Sequence, residues 1–224
     1  MPINPGRIVY EDQWYLAVHK LPAELVVKGK GPVGKLPLFD FLRKDYPGIH
    51  PINRIDFETS GIVLFAKTKP VLAKTLDTKF DQWEKKYRTI VAGRLQRREG
   101  DIRFALPTRA KGEEGEAHTH YYALDVFDLA TYVEVTIATG RHHQIRRHFA
   151  KIGHPLVLDY VYGDPKFNNH FSQKFRFHRF FLHAGILSFP HPYKEGEKVT
   201  IEDPLPRPFE ELLQKLRDDE RIHR

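Results

Sequence analysis

The sequence predicts an α+β fold built on a mostly antiparallel sheet, and three observations carry that expectation. Residues 61–67, Gly-Ile-Val-Leu-Phe-Ala-Lys, form a continuous apolar run of strand length, the pattern of a strand buried on both faces. Val133, Val135 and Ile137 alternate with Glu134 and Thr136, which gives a strand one buried face and one wet face. Short strand-like runs and a few helical ones are mixed along all 224 residues, without an internal repeat, a long linker or a change of composition. One domain spanning residues 1–224 follows from that evenness.

The elements take their places in order. Residues 7–10 and 14–19 are β-branched and aromatic runs separated by Glu11, Asp12 and Gln13, which predicts a hairpin. Residues 28–37 are a Gly/Pro/Lys-rich loop, and residues 38–46 a short helix that Pro47 and Gly48 end. After the apolar strand, Leu72, Leu76, Phe80 and Trp83 fall at steps of four, four and three, with Lys74, Lys79 and Asp81 between them. That spacing predicts an amphipathic helix with Pro70 in its first turn. Strands follow at residues 87–95, 119–127 and 131–138, with a Gly/Glu-rich loop at 111–116. Over residues 143–152 the apolar stripe Ile145, Phe149 and Ile152 predicts a helix in which Arg147 and Lys151 point away and Arg146 sits on the flank. Residues 162–179, dense in Phe, His, Lys and Asn, form a predicted loop. A strand at 180–189 and a helix at 209–216 close the chain.

Composition narrows the function. With 41% hydrophobic and 29% charged residues a packed core is attainable, and the absence of cysteine excludes a disulfide framework, thiolate metal sites and a Cys nucleophile. No apolar run reaches the ~18 residues of a membrane span, and Met1-Pro2-Ile3-Asn4-Pro5 lacks a signal peptide's apolar stretch. A soluble, cytoplasmic protein is expected, monomeric and with no membrane partner. A formal charge of +7 favours a polyanion, because each phosphate neutralised by Lys or Arg releases condensed counterions.

Three apparent signals are turned down on physical grounds. Residues 29–36, Gly-Lys-Gly-Pro-Val-Gly-Lys-Leu, nearly spell a phosphate-binding loop. Leu36 stands where a magnesium-holding hydroxyl is needed, however, and Pro32 and Pro37 remove backbone donors. His142, His143, His148 and His154 lack the i, i+4 pair with an intervening Glu that places two imidazoles on one helix face, so no metal is expected. Ser60 enters a strand where a nucleophile elbow leaves one.

Four separated segments set charged residues among apolar ones. Residues 53–61, Asn-Arg-Ile-Asp-Phe-Glu-Thr-Ser-Gly, lead into the buried strand, and the Thr-Ser-Gly turn would hold Asp56 at the strand mouth. Residues 141–148, Arg-His-His-Gln-Ile-Arg-Arg-His, open a helix with cations, while Lys85-Lys86-Tyr87-Arg88 and Phe181-Leu182-His183-Ala184 begin strands. Singly, Asp56 is a turn-capping carboxylate and the basic run a solvated face. Together these segments resemble the pseudouridine synthases of the RluA-type family. In that family a His/Asn-Arg-Leu/Ile-Asp-x-x-Thr-Ser-Gly motif is matched by residues 53–61 and a Gly-Arg-x-His-Gln-Ile-Arg segment by residues 140–146. Lys86-Tyr87, Leu182-His183-Ala184 and, more weakly, Ala117-x-Thr119 follow in the family's motif order, from about residue 7 to about residue 192. Three departures stand out: Asn53 for the commoner His, Lys20-Leu21-Pro22-Ala23 for Lys-Pro-x-Gly, and Leu158-Asp159 for Gly-Asp. The last is expected to hinder a positive φ after Pro155.

The resemblance implies the pseudouridine synthase fold, a mixed, mostly antiparallel sheet with flanking helices and a central cleft, and an isomerase that needs no cofactor. It implies Asp56, Tyr87 and Arg146 as catalytic residues, with Arg54, Lys86, Arg141, His143, Gln144 and Leu182 binding substrate. Asp56 would act as nucleophile or as proton acceptor at the sugar. Arg146 would keep that carboxylate charged in a desolvated pocket, and Tyr87 would stack on the uracil. Backbone contacts are expected from Lys28, Lys30, Lys35, Arg141, Arg147 and Lys151, and from Lys166, Phe167, Lys174, Arg176 and Arg179. The partner implied is RNA, tRNA before ribosomal RNA, since no separate RNA-binding module is visible and compact members of the family modify tRNA. A noncatalytic RNA chaperone on the same fold is the competing reading.

Overall fold

The computed structural model describes residues 3–29, 36–78, 82–108, 110 and 112–222. The expectations for Lys30, Lys35, Lys79, Phe80, Asp81 and Lys111, and for most of the phosphate-loop look-alike, lie outside the described residues. The elements, in chain order, are β1 (Ile8–Glu11), β2 (Tyr15–Lys20), α1 (Leu38–Leu42), β3 (His50–Pro51), β4 (Ser60–Ala66), α2 (Lys69–Leu76) and β5 (Glu84–Ala92). Then come β6 (Glu99–Arg103), β7 (Leu106–Pro107), β8 (Glu114–Gly115), β9 (His118–Val126), β10 (Ala130–Ile137) and α3 (Gln144–Lys151). The chain ends with α4 (Pro165–Phe175), β11 (Leu182–Pro190), β12 (Lys198–Glu202) and α5 (Arg207–Ile222). No helix among the described residues is long and apolar enough to cross a membrane. Two compact units divide the chain, Met1–Lys85 with Ala184–Pro204 and Lys86–His183 with Leu205–Arg224.

In the first unit the strands lie in the order β1-β2-β4-β11, with β12 beside β11 and β3 beside β4. β1 and β2 form the expected antiparallel hairpin, and β2 pairs antiparallel with β4 along its length. Every residue of β4 is buried. The period-two geometry of a strand explains how: Tyr15, Ala17, Ile62 and Leu64 pack into one cluster, with Trp83 and Phe189. Leu16, Val18, Val63 and Phe65 pack into another, with Leu38, Leu42 and Ile49.

The helix after β4 corrects the sequence reading. α2 starts under a Thr68 cap with Pro70 in its first turn, as expected, but it ends at Leu76 and buries Val71 and Thr75 rather than the Leu72–Leu76 stripe. Leu76 is 42% exposed, and Trp83 packs on Phe189 from beyond the helix. The reason is polar. The buried Tyr15 hydroxyl bonds Thr75 Oγ1 at 2.7 Å, and Thr75 in turn donates to the Val71 carbonyl, so the face that satisfies these groups turns inward.

In the second unit the order is β5-β10-β9-β6, antiparallel throughout. The alternation read in the sequence holds in β10, where Val133, Val135 and Ile137 are buried and Glu134 and Thr136 only half-buried. Against them pack Ile145 and Phe149 of α3, Phe171 and Phe175 of α4, and Phe209, Leu212, Leu213 and Leu216 of α5. The stretch expected as a loop at 162–179 is mostly helix. Asp164 caps α4 by accepting from the Lys166 amide, Pro165 occupies the first turn, and Phe167, Phe171 and Phe175 recur every fourth residue.

The rotation of α2 yields a direct check. Val71→Ala should cost about 1 to 2.5 kcal/mol of stability, and Leu76→Ala should stay within about 0.5 kcal/mol of zero. Urea unfolding of both variants measures this, and a larger loss at Leu76 would restore the stripe that its spacing suggests.

Candidate active site

Asp56 sits on a short turn in the first unit that leads into β4, where the Thr59 amide donates to the Asp56 carbonyl at 3.1 Å. Asn53 braces one side of this turn: its Oδ1 accepts from the Leu64 amide at 2.7 Å and its Nδ2 donates to the Ile62 carbonyl at 3.2 Å. On the far side Gly61 takes φ +114°, and a Cβ there would lie 2.3 Å from the Ala184 carbonyl oxygen, so only glycine lets β4 and β11 come this close. The Thr59 hydroxyl is buried with no hydrogen-bond partner among the described residues. Asp56 itself is half-buried, while Arg54 and Phe57 flank it exposed.

A buried cation holds the same turn. Lys20 has no exposed surface, and its ammonium donates to the carbonyls of Leu21 at 2.8 Å, Glu24 at 2.8 Å and Phe57 at 3.0 Å. Burial pushes its pKa down from its ordinary 10.5 to about 8, against the opposing pull of the Glu24, Glu58 and Asp56 carboxylates. The Ala23 amide joins Lys20 on the Phe57 carbonyl at 2.9 Å, with Ala23 at φ +61° where the expected motif has glycine.

In the second unit α3 gathers the basic motif. Its first residue, Gln144, is buried; Nε2 donates to the His118 carbonyl at 2.9 Å and Oε1 accepts from the Arg141 amide at 3.1 Å. His143 precedes it at φ +54°, stacked 3.8 Å from the ring of His142 and 3.0 Å through Nδ1 from the Tyr162 hydroxyl. Arg146, expected on the flank, is 4% exposed. Its guanidinium forks onto Asp159, Nε to Oδ2 at 2.6 Å and Nη2 to Oδ1 at 2.8 Å, and lies 5.0 Å from the centre of the Tyr162 ring and 4.6 Å from that of Phe180. The planar fork suits a carboxylate as no lysine would. Tyr87, half-buried on β5, pairs with Val135 across the ladder, and Lys86 with Thr136. Leu182 starts β11 within the unit's core.

The model of the family described as RNA pseudouridylate synthase matches residues 14–151. A tRNA pseudouridine synthase C of Vibrio parahaemolyticus is 31% identical over 96% of this chain and 97% of the relative. The chain belongs to the RNA pseudouridylate synthase family. It is an isomerase of the RluA type. A ribosomal large subunit pseudouridine synthase C of Vibrio cholerae is 33% identical over 94% of the synthase described here and 69% of the relative. The human RNA pseudouridylate synthase domain containing 1 shares the fold, with a TM-score of 0.72 at 24% identity over 97% and 98% of the two chains.

The synthase departs from its motif-based reading in instructive ways. Leu158 adopts φ +63° despite being no glycine, so the positive φ thought to be hindered is kept at a cost of about 1 to 2 kcal/mol. Asn168 offsets that strain, its Oδ1 accepting from the Leu158 amide at 2.8 Å and its Nδ2 donating to the Asp159 carbonyl at 3.0 Å. Asp159, Tyr162 and Asn168 were not singled out as site residues by sequence. The signal available was a buried-type Asp-x-x-Tyr-Gly run just after a strand-like Pro-Leu-Val-Leu stretch. Of the other cations expected to face RNA, Arg147 donates from Nε to the Tyr162 hydroxyl at 3.0 Å and Lys174 pairs with Asp219 at 2.6 Å, while Lys151, Lys166, Arg176 and Arg179 are exposed. His148 and His154 are occupied structurally, the first on Thr119 Oγ1 and the Phe104 carbonyl, the second on the Ala92 carbonyl.

Two substitutions test how the site is held. Asp159→Asn leaves the Arg146 guanidinium buried without its counter-charge and should lower stability by about 3 to 5 kcal/mol in urea unfolding; a loss under about 1 kcal/mol would show that the fork is dispensable. Lys20→Met leaves three carbonyls short of a donor, at about 1 to 3 kcal/mol. Because the folded protein gives up the Lys20 proton near pH 8 and the unfolded chain near 10.5, this group makes stability rise with pH across that window. Unfolding titrations at both ends of the window should show that rise in the parent and a smaller one in Lys20→Met.

Proposed function

We propose that the synthase isomerises a uridine of tRNA to pseudouridine, with Asp56 as the catalytic carboxylate. The reaction breaks the N1–C1′ bond, turns the uracil, joins C5 to C1′ and moves one proton from C5 to a ring nitrogen, so no oxidant, group donor or hydrolytic water is consumed. Asp56 meets the sugar as nucleophile or proton acceptor. Arg146 supplies the cation that favours an ionised carboxylate, and Tyr87 offers the uracil a flat face, a stack worth about 1 to 3 kcal/mol. Arg54, Lys86, Arg141, His143, Gln144 and Leu182 order the RNA and the base around these groups.

The observation that carries the reading is the Asp56 turn, a half-buried carboxylate set at the mouth of a fully buried strand by Asn53, Lys20 and Gly61. A surface aspartate needs no such bracing. The tRNA assignment draws support from alignment with 97% and 95% of two Vibrio tRNA pseudouridine synthases C, against 69% of the Vibrio cholerae ribosomal enzyme. Ribosomal RNA is the second reading, favoured by the 33% identity to that enzyme.

Pseudouridine mapping by carbodiimide labelling and reverse transcription, on total RNA from cells with and without the gene, decides the substrate. Loss of one tRNA site is expected, and loss of a ribosomal site instead would move the assignment. In the purified enzyme Asp56→Ala should abolish turnover and leave RNA affinity within about tenfold, since the basic surface is untouched. Turnover that survives, or affinity that falls with it, refutes the role given to Asp56.

A further inference from the structure

β6 stands at the end of the second unit's strand order, and its ladder with β9 carries a cluster of ionisable side chains that the proposed isomerisation does not use. His118 and His120 are two residues apart on β9, so the period-two geometry of a strand turns both rings to the same face. Thr119 and Tyr121 are buried on the other face. Asp101 of β6 pairs with His120 directly across the ladder and lies diagonal to His118, and Glu99 stands two residues away on the Asp101 face.

The side chains follow that register. Asp101 Oδ1 lies 2.5 Å from His118 Nε2 and 3.3 Å from His120 Nδ1, so one carboxylate oxygen is shared by two imidazoles. Glu99 Oε1 comes within 3.4 Å of His120 Nε2. In a tetrahedral zinc site neighbouring ligand atoms are about 3.4 Å apart, a spacing that follows from metal–ligand bonds of about 2.1 Å. Asp101 and His120 already keep that spacing. His118 Nε2 has to swing by about 1 Å, away from Asp101 and towards His120, to reach a zinc ion at bonding distance. All four side chains are more than a third exposed, so rotation about their own bonds supplies the adjustment.

The backbone beneath them is fixed. β9 is paired on both sides, by β10 and by β6. Between the histidines the Thr119 hydroxyl accepts from Gln144 Nε2 at 3.1 Å and meets His148 Nδ1 at 2.9 Å, and Gln144 Nε2 also donates to the His118 carbonyl at 2.9 Å. Arg103 pairs with His118 across the ladder, but its side chain is exposed and keeps its charge in water.

We propose that His118, His120 and Asp101 bind a divalent late first-row cation, zinc above all, with Glu99 or water completing its coordination. Two imidazoles and a carboxylate suit zinc, whereas magnesium and calcium call for oxygen ligands throughout. The ion ties β6 to β9 through side chains as well as through the ladder, and so clamps the strand at the end of the order. This clamp is separate from the isomerisation and independent of the RNA that the enzyme takes.

The test is isothermal titration of the full-length protein, freed of metal by chelation, with zinc chloride. One equivalent should bind. His120→Gln and Asp101→Asn should each weaken binding by at least about 100-fold, the upper end of what losing an outer partner of a ligand costs, and His142→Gln, outside the cluster, should leave it within about threefold. Zinc should also raise the urea midpoint of the parent and leave that of His120→Gln unmoved. Should a variant fail to fold, the histidine ring 15N resonances of the parent decide the matter, since those of His118 and His120 should shift on addition of zinc. Absence of binding up to millimolar zinc overturns the proposal. So does a bound ion that survives both substitutions, or a set of ring shifts confined to other histidines.

Discussion

A carboxylate with 1% of its side chain exposed persists only where its charge and its lone pairs are both answered, and Asp159 has them answered from two directions. Arg146 answers the charge with two parallel hydrogen bonds, and the backbone amides of Val161 and Tyr162 answer what remains. Each ion of such a pair loses several kcal/mol of hydration, so the arrangement survives only with geometry this complete. The consequence is positional. Arg146 cannot shift without stranding Asp159, and the 158–163 turn cannot shift without opening the fork.

The other unit solves a similar problem with the opposite sign. Lys20 is buried without a bidentate carboxylate, and its charge is spread over three carbonyl oxygens, one of which belongs to the residue after Asp56. A neutral carbonyl compensates an ammonium less well than a carboxylate would, in keeping with a pKa pushed down to about 8. In both units a charge taken out of water fixes a turn, and the turn presents the residues on which the proposed chemistry relies. For an isomerisation, which exchanges no electrons and consumes no group donor, positioning and electrostatics are the main means of catalysis.

Much of the fold was legible because its signals are local. β4 and β10 declare themselves by an unbroken apolar run and by strict alternation, and the hairpin by two β-branched runs around Glu11-Asp12-Gln13. What misled were cases where a polar group outranked a hydrophobic one. Thr75 turned α2 because Tyr15 needed a partner, a contact 60 residues away in sequence. α4 hid behind Asn, His, Gln and Ser, although its Phe residues kept a step of four and Asp164-Pro165 marked its start. β6 and β12 were missed because short, charged edge-like strands carry little pattern of their own. For the candidate site, motif order pointed to Asp56, Tyr87 and Arg146, but nothing local reveals that Arg146 is buried on Asp159, since that pairing depends on how the chain turns after Pro155.

Backbone strain shows where the fold gives up stability. Four residues other than glycine have positive φ: Ala23, His143, Leu158 and Arg176 among the described residues. Arg176 ends α4, where a left-handed residue satisfies the last carbonyls and needs no further reason. The other three stand in the turn under Asp56, at the start of the helix carrying Arg146, and in the turn that holds Asp159. At Ala23 and Leu158 the family motif has glycine, which would relax the strain but widen the range of backbone conformations open to the unfolded and folded turn alike. A side chain at these positions narrows that range. Leu158 also buries its side chain in the core beneath the turn, so part of the conformational cost is offset by apolar area that glycine could not supply. The strained residues therefore work with the buried charges rather than against them, since both leave the turn one conformation to adopt.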